Sequence, residues 1–249
     1  MTSSILNGKK VLVTGASRGI GKAIATAMAK ARATVALADR LETSQTQNDI
    51  EQAGGKAFSY SCDVSNEEQV IKLLDNVVSE LGGIDVLVSN AGVALEKPLL
   101  ETQIDEFDSL MAVNLRGTFL VGREAIRVMS ENENGGRVIN IASDLGYTGR
   151  EQHSVYCASK AAVISLSKSW AKEFAPKILV NSVSPGPVDT DMLGREHMSA
   201  DWREKEEDIP LARIAQPEEI AGVVVFLAGP EATFITGQSF GVNGGSVMI

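Results

Sequence analysis

A tyrosine and a lysine four residues apart are the first side chains in this sequence whose chemistry stands out. Tyr156 and Lys160 lie in a stretch rich in Ala, Ser, Lys and Leu that predicts a helix, so their spacing places both on one face. A free phenol titrates near ~10, which is too high for an efficient base at neutral pH. Because a nearby cation favours the phenolate, we expect Lys160 to lower the pKa of Tyr156.

A third candidate, Ser143, follows a β-branched run over residues 136–142 that predicts a strand ending in a loop. In an open α/β sheet, a hydroxyl at the carboxyl end of a strand lies where ligands bind. Ser143 could therefore hold an alcohol or carbonyl oxygen beside the phenol. A Tyr-x-x-x-Lys pair alone is weak evidence, since a surface lysine and a half-buried tyrosine give the same pattern. The elements that position these side chains are therefore needed to interpret the pair.

Short β-branched runs alternate with longer helical patterns along the whole chain. The predicted strands cover residues 10–14, 34–38, 56–61, 84–89, 137–141, 178–183 and 238–242. The predicted helices cover residues 20–31, 42–53, 66–81 after the capping candidate Ser65, 104–129, the segment that carries Tyr156, and 217–228 after the cap Gln216. This alternation predicts one α/β domain over residues 1–249: a Rossmann-type, doubly wound parallel sheet of about seven strands, with helices on both faces.

The composition limits the classes of function. The chain has 249 residues, of which 44% are hydrophobic and 22% charged, as in an ordinary soluble domain. Its net charge of −9 argues against nucleic acid as a partner, because a phosphate backbone needs a basic face. Cys62 and Cys157 have neither metal-ligand nor disulfide spacing, so no metal site is expected. The sequence has no signal-peptide pattern and no apolar run of about 18 residues, which predicts a cytoplasmic protein without a membrane partner.

A glycine-rich segment joins the first predicted strand to the first helix. Gly15, Gly19 and Gly21 lie within residues 14–21 at a Gly-x-x-x-Gly-x-Gly spacing. The glycines allow a tight turn and close approach of the backbone, and the N-terminus of the helix offers unpaired N–H groups to a pyrophosphate. Because a predicted strand and helix flank the turn correctly, the segment predicts a dinucleotide site.

An acidic residue, Asp39, ends the second predicted strand, 24 positions after Gly15. A carboxylate at this place accepts hydrogen bonds from a ribose diol and repels a 2′-phosphate, which favours NAD over NADP as the cofactor. Arg18 in the glycine turn and Arg40 directly after Asp39 oppose this interpretation, since either could bind a phosphate.

Together these features resemble the short-chain dehydrogenase/reductase (SDR) family, and the resemblance covers essentially all 249 residues. Its markers are the glycine turn, Asp63-Val64, Asn90-Ala91-Gly92, Asn114, Ser143 with Tyr156 and Lys160, and Pro185-Gly186 with Thr190. One position departs, because Ser89 stands where the family commonly has a second asparagine. The resemblance implies transfer of a hydride between NAD and a secondary alcohol or ketone, with Tyr156 as the acid or base.

The resemblance also implies a role for each matching position. Asn114, Ser143, Tyr156 and Lys160 would be the catalytic residues, with Asn114 helping to hold a water beside Lys160. The cofactor would be bound by the residues Gly15, Ser17, Arg18, Gly19, Ile20, Gly21, Asp39, Arg40, Asp63, Val64, Asn90, Ala91, Gly92, Tyr156, Lys160, Pro185, Gly186, Val188 and Thr190.

Two polar segments indicate the class of substrate. Residues 191–209 follow the expected cofactor loop and resemble the family's substrate lid, and residues 144–153 precede Tyr156. Their polarity favours a small-molecule substrate such as a polyol, a sugar derivative or a hydroxy acid, and an arginine could meet an anionic group. The candidate substrate residues are Ser143, Asp144, Arg150, His153, Tyr156 and Arg195.

Two alternatives remain open. A reductase of 3-oxoacyl thioesters shares these motifs but is expected to use NADP, which Asp39 opposes. A non-catalytic nucleotide-binding protein on the same fold would usually have lost part of the serine–tyrosine–lysine set, which is complete here. For assembly we expect a homotetramer, formed through the helices at 104–129 and 154–174 and the apolar tail 234–249.

Overall fold

A seven-stranded parallel sheet forms the centre of the computed structural model, which describes residues 4–248 apart from the side chain of Arg195. The strands are β1 Lys10–Thr14, β2 Thr34–Asp39, β3 Lys56–Ser61, β4 Val86–Ser89, β5 Gly136–Ile141, β6 Ile178–Pro185 and β7 Ser239–Val242. The helices are α1 Gly19–Lys30, α2 Ser44–Gln52, α3 Glu67–Leu81, α4 Ile104–Met111, α5 Thr118–Glu131, α6 Leu145–Thr148, α7 Ser154–Phe174, α8 Ala200–Glu207 and α9 Pro217–Ala228.

The strand order β3-β2-β1-β4-β5-β6-β7 reverses direction between β1 and β4. The two strands are parallel and in register there, with Leu12 opposite Leu87 and Val13 opposite Val88. Loops leaving the carboxyl ends of these strands turn to opposite faces of the sheet and leave a crevice between them. The fold therefore places its ligand site at the ends of β1 and β4.

Both faces of the sheet are covered by helices, which is why the central strands read as continuous apolar runs. On one face, Ile24 and Met28 of α1 and Leu227 of α9 are buried against the strands. On the other face, Leu73 of α3 and Trp170 of α7 belong to a second buried cluster. The predicted single-domain, doubly wound sheet of about seven strands is thus confirmed.

The helix predicted over residues 104–129 is not continuous. Residues Ala112–Gly117 form a π-helical segment between α4 and α5, with Asn114 inside it. A π segment widens the turn and frees backbone groups from their regular partners. The side chain of Thr118 donates to the carbonyl oxygen of Asn114 at 2.8 Å and so satisfies one such group.

Smaller differences occur at element ends. Asn66, not Ser65, caps α3, because the Asn66 side chain accepts the backbone N–H of Gln69 at 3.1 Å. The fourth strand begins at Val86 rather than at residue 84, and Asp85 before it accepts the backbone N–H of Lys10 at 2.8 Å. Residues 145–148 form a short helix that the sequence pattern did not indicate.

Three further observations concern the described residues 4–248. None of their helices is long and apolar enough to cross a membrane. They contain no group of three or more His, Cys, Asp or Glu side chains placed to hold a metal ion. Cys62 and Cys157 are both free thiols and both buried.

Candidate active site

A cleft of about 740 Å³ opens at the carboxyl ends of the strands, where the strand order reverses. Its volume lies in the range of sites that bind cofactors and small molecules. The cleft is lined by every residue predicted to bind the cofactor, from the glycine turn to Thr190. Ser143, Tyr156 and Lys160 line it as well, so the structure brings the two predicted groups into one site.

The glycine turn is held in a shape that only glycine permits. Gly15 has a φ of 67°, and a Cβ atom there would lie 2.9 Å from the Cα of Ala91. A Cβ on Gly21 would collide with the carbonyl group of Gly15. The side chain of Asn90 fixes the turn from below by donating to the carbonyl oxygens of Thr14 and Gly15 at 3.0 and 3.1 Å.

The turn fits a pyrophosphate. Helix α1 begins at Gly19 directly behind it, and the N-cap residue Arg18 makes no side-chain cap, so the first N–H groups of the helix remain free for an anion. The buried hydroxyl of Ser17 has no hydrogen-bond partner within the described residues. A buried hydroxyl without a partner is costly, and an oxygen of a phosphate would satisfy it.

The carboxylate of Asp39 is fixed at the end of β2. Its oxygens accept the backbone N–H groups of Ser17 and Leu41, both at 3.0 Å. Arg18 forms an exposed ion pair with Asp191 at 2.9 Å, and Arg40, which is exposed, lines the cleft beside Asp39. The negative charge therefore faces the cleft where the ribose of an adenosine would lie.

Asp63, at the next strand end, is also ionised and held in place. Its Oδ1 accepts both the hydroxyl and the backbone N–H of Ser65, at 2.7 and 2.9 Å. The hydrogen bond from the Ser65 side chain is the main cause that lowers the pKa of Asp63. Ser65, expected to cap a helix, thus positions a carboxylate of the cleft instead.

Tyr156 and Lys160 lie on one face of α7, as their spacing predicted. The Lys160 ammonium is buried, 5.8 Å from the centre of the Tyr156 ring, and donates to the carbonyl oxygen of Ile141 at 2.9 Å. The expected lowering of the phenol pKa is not found. Burial raises the pKa of Tyr156 to about 12, opposed by a hydrogen bond with Ser143, and burial lowers the pKa of Lys160 to about 8. The prediction was wrong because it weighed the cation and neglected the loss of water around both groups.

Ser143 is buried in the wall of the cleft beside the phenol. Its Oγ accepts the backbone N–H of Leu145 at 3.2 Å and donates to Oδ1 of Asp144, also at 3.2 Å. A hydrogen bond from Ser143 acts to lower the pKa of Tyr156, because it stabilises the phenolate. The pair is ready to hold an oxygen atom of a substrate between two hydroxyl groups.

Asn114 does not line the cleft; it supports the cleft from behind. Its side chain exchanges two hydrogen bonds with the backbone of Val93, at 2.8 and 2.9 Å, and donates to Ser159 at 3.1 Å. Ser159 in turn donates to the carbonyl oxygen of Tyr156 at 2.7 Å. Asn114 therefore ties the π segment to the helix that carries the tyrosine and the lysine.

The candidate substrate residues are distributed unevenly. Asp144, Arg150 and His153 line the cleft, whereas the side chain of Arg195 lies outside the described part of the structure. The ring of His153 stands edge-on to that of Tyr156 at 6.5 Å, with Nδ1 3.0 Å from the carbonyl oxygen of Glu151. None of its contacts with the described residues gives His153 a part in proton transfer.

Arg150 is paired with the segment 191–209 rather than free for an anionic ligand. Its guanidinium pairs with Glu206 of α8 at 2.6 Å and stacks over the ring of Trp202 at 4.8 Å. These two contacts join the loop before α7 to the segment 191–209. Arg150, predicted to meet the substrate, is thus paired through two residues, Trp202 and Glu206, that the sequence patterns did not single out.

Sequence reasoning missed several residues that shape the site. The side chains of Thr14, Ser159, Trp202, Glu206 and Ser246 contact predicted site residues or line the cleft. Ser159 could have been found from its position three residues after Tyr156 on the same helix. Ser246 carries no such signal, since it meets Asp144 from 102 positions further along the chain.

Comparison with known proteins agrees with this geometry. The model of a family described as enoyl-(acyl carrier protein) reductase matches residues 15–247. A 3-oxoacyl-[acyl-carrier-protein] reductase FabG of Aquifex aeolicus is 39% identical over 245 residues, covering 96% of this chain and 98% of the relative. The FabG of Vibrio cholerae is 38% identical, covering 98% and 99%. A short-chain type dehydrogenase/reductase from Mycobacterium marinum superposes with a TM-score of 0.93 at 40% identity, covering 98% and 97%.

Proposed function

Because this chain belongs to the short-chain dehydrogenase/reductase family of nucleotide-binding oxidoreductases, we propose that it reduces the ketone of a 3-oxoacyl thioester to a hydroxyl group. Relatives that span nearly the whole chain carry the name 3-oxoacyl-[acyl-carrier-protein] reductase. The observation that carries the proposal is the placement of Ser143, Tyr156 and Lys160 in one cleft with the glycine turn. The phenol of Tyr156, whose pKa burial raises to about 12, is protonated at neutral pH and can donate its proton to a ketone oxygen.

In the proposed reduction, each of three cleft residues has a separate role. Tyr156 donates its proton to the carbonyl oxygen, and Ser143 holds that oxygen beside the phenol. A bound nicotinamide would supply the hydride to the carbonyl carbon. Lys160 stabilises the phenolate that remains on Tyr156, because its ammonium lies 5.8 Å from the ring on the same helix face. The phenolate then recovers a proton from solvent.

The remaining predicted residues would hold the dinucleotide. The N–H groups at the start of α1 and the unpartnered hydroxyl of Ser17 would bind the pyrophosphate. Asp63 would meet the adenine, Lys160 the ribose next to the nicotinamide, and the segment 185–190 the carboxamide.

We propose NADH as the preferred form of the cofactor. The carboxylate of Asp39 is fixed by two backbone N–H groups and Arg18 is paired with Asp191, so a 2′-phosphate would meet the negative charge of Asp39. Arg40, which also lines the cleft, is the cation that would have to offset that charge for NADPH to bind. The kcat/KM for NADH and for NADPH, measured with one ketone, tests the proposal. A strong preference for NADPH would overturn it.

The substrate is tested by following the absorbance of reduced nicotinamide with a panel of 3-oxoacyl thioesters. Wild type should consume the cofactor, while Tyr156→Phe should bind it unchanged and lose turnover, because only the donating hydroxyl is removed. Retention of turnover by Tyr156→Phe would refute the role of the phenol. A flat signal for every thioester and every alcohol would instead favour a non-catalytic nucleotide-binding protein.

A second candidate is the interconversion of a small polar secondary alcohol and its ketone. The wall next to Tyr156 favours it, because Asp144, Arg150 and Glu206 put charged groups where a long acyl chain would need apolar ones. Polyols, sugar derivatives and hydroxy acids with both cofactors form the screen. Higher kcat/KM for one of these than for any thioester would replace the first proposal with the second.

We further propose a homotetramer. Exposed apolar side chains follow two of the surfaces predicted to assemble: Leu100, Ile104 and Phe107 lie in or beside α4, and Phe234 and Met248 lie in the tail. The part of the predicted tail at residue 249 lies outside the described residues. Small-angle scattering gives the test, and a monomeric mass would exclude the tetramer.

A further inference from the structure

An ion pair lies in the wall of the cleft, where the loop before α7 meets helix α8. The guanidinium of Arg150 is 2.6 Å from a carboxylate oxygen of Glu206, and both residues line the cleft. The Glu206 side chain is 8% exposed and that of Arg150 is 24% exposed, so water screens this pair much less than it screens a surface ion pair. The two opposite charges therefore cancel within the wall.

Helix α8 also fixes the position of the guanidinium. The ring of Trp202, four residues before Glu206 and on the same helix face, packs against the guanidinium, with 4.8 Å between the guanidinium carbon and the ring centre. Lys205 stands over the same ring at 5.1 Å, but this lysine is exposed and water screens its charge. Arg150 is thus a cation that the protein holds in the wall, and Glu206 is the anion that neutralises it.

The pair lies on the side of the cleft that contains Tyr156. A hydrogen bond from the backbone of Arg150 reaches the thiol of Cys157, the residue after Tyr156. Asp144, which is 6% exposed, lies within electrostatic reach of both: the charge of Glu206 contributes to its raised pKa, and its own charge contributes to the raised pKa of Tyr156. A substrate that meets Tyr156 is therefore subject to the charges of this wall.

We propose that Glu206 is a specificity-determining residue: by neutralising the guanidinium of Arg150, it keeps the cleft from binding a substrate that carries a carboxylate close to its ketone. The inference rests on the proposed function, because it concerns the substrate that meets Tyr156. Glu206 selects the thioester of a 3-oxo acid over the free 3-oxo acid, and a neutral polyol over a hydroxy acid. A carboxylate entering this wall has to displace Glu206 from Arg150 or lie beside it unpaired.

The substitution Glu206→Gln tests the proposal. It removes the negative charge but keeps the shape of the side chain and an oxygen that accepts from Arg150, so the segment 191–209 should stay attached to the loop. The guanidinium then carries an unpaired positive charge. Isothermal titration calorimetry with acetoacetate, a 3-oxo acid, is run with the oxidised cofactor bound, so that the ketone is not reduced. Acetoacetate should bind about tenfold more tightly than it binds to wild type, the effect of one hydrogen bond to a charged group.

Glu207→Gln is the matched control. It removes the same charge from the next residue of α8, which pairs with Arg203 at 3.0 Å away from the cleft, so the Kd of acetoacetate should stay within about twofold of wild type. In the Glu206→Gln background, Arg150→Gln should abolish the gain, because the guanidinium that receives the anion is gone. No gain in Glu206→Gln, an equal gain in Glu207→Gln, or a gain that survives without Arg150 would overturn the proposal.

Turnover separates this proposal from the proposed reaction. The ratio of kcat/KM for acetoacetate to kcat/KM for its thioester should rise about tenfold in Glu206→Gln and stay within about twofold in Glu207→Gln. Thioester reduction with an unchanged ratio would refute the role of Glu206 and keep the substrate. Tighter binding of acetoacetate to Glu206→Gln, in an enzyme that ignores thioesters, would refute the substrate and keep the role of Glu206.

Discussion

The buried ammonium of Lys160 should make the protein less stable than it would be without it. Lys160 is 6% exposed, and its pKa is lowered by burial from the ordinary 10.5 to about 8. A depressed lysine pKa means that the unfolded chain binds the proton more tightly than the folded protein does. We therefore expect Lys160→Met to be more stable than wild type at neutral pH, while it loses turnover.

The magnitude follows from the lowered pKa. The difference from 10.5 corresponds to about 3 kcal/mol of free energy of unfolding, lost by wild type where the lysine is charged. Removal of the hydrogen bond from the charged ammonium to the carbonyl oxygen of Ile141 costs about 2 kcal/mol. The net gain of about 1 kcal/mol corresponds to a rise in Tm of about 2 to 4 °C for a chain of this size.

Urea unfolding of wild type and Lys160→Met, at equal protein concentration and at several pH values, measures the difference. Below pH about 8 the lysine is charged in both states, so the gain should be full and constant. Between about 8 and 10.5 the unfolded chain still binds the proton that the folded protein has released, so the gain should shrink. A less stable Lys160→Met at pH 7, or a difference that ignores pH throughout this range, would refute the reasoning.

Three further predictions concern the turn, the lid and the pH profile. Gly21→Ala should lower the free energy of unfolding by about 2 kcal/mol and abolish dinucleotide binding in a fluorescence titration, because the added Cβ collides with a backbone carbonyl group. Gly222→Ala in α9 is the control: a Cβ there meets nothing within 4 Å, so neither stability nor binding should fall. Arg150→Ala removes the partner of the buried Glu206, so the segment 191–209 should open more often and limited proteolysis should cut it about tenfold faster. An unchanged rate of cleavage would show that the Arg150–Glu206 ion pair does not hold this segment in place. Ketone reduction should decline as the pH rises through about 8, where Lys160 loses its charge, and in Lys160→Arg, which stays charged, any activity left should not decline there.

Local patterns were enough to predict most of the fold and the position of the site. The strands were found because both of their faces are buried, which leaves uninterrupted apolar runs such as Val11–Val13. The dinucleotide site was found because a tight turn and close approach to a ligand demand glycine at Gly15 and Gly21. These signals lie within a few neighbouring residues, so no knowledge of distant contacts is needed to read them.

The features that could not be predicted from the sequence depend on contacts between distant residues. The π segment at Ala112–Gly117 reads in the sequence as part of an ordinary helix. The contacts of its Asn114 side chain with Val93 and Ser159 involve residues far along the chain, so no local pattern reveals them. The partner of Asp144 in the C-terminal segment and the partner of Arg150 in the lid are likewise set by tertiary packing. A periodicity in one segment cannot report which other segment will cover it.

The wrong sign of the Tyr156 pKa shift has the same origin, and it changes the chemistry assigned to the site. Spacing alone brings the phenol and the ammonium together and suggests a tyrosine made acidic. Burial acts against both charges at once, raising the pKa of Tyr156 and lowering the pKa of Lys160, and one N–H of Lys160 donates to the carbonyl oxygen of Ile141. A phenol with a raised pKa holds its proton at neutral pH, so the proposed reduction needs Lys160 only after that proton has left, when a phenolate remains beside the ammonium.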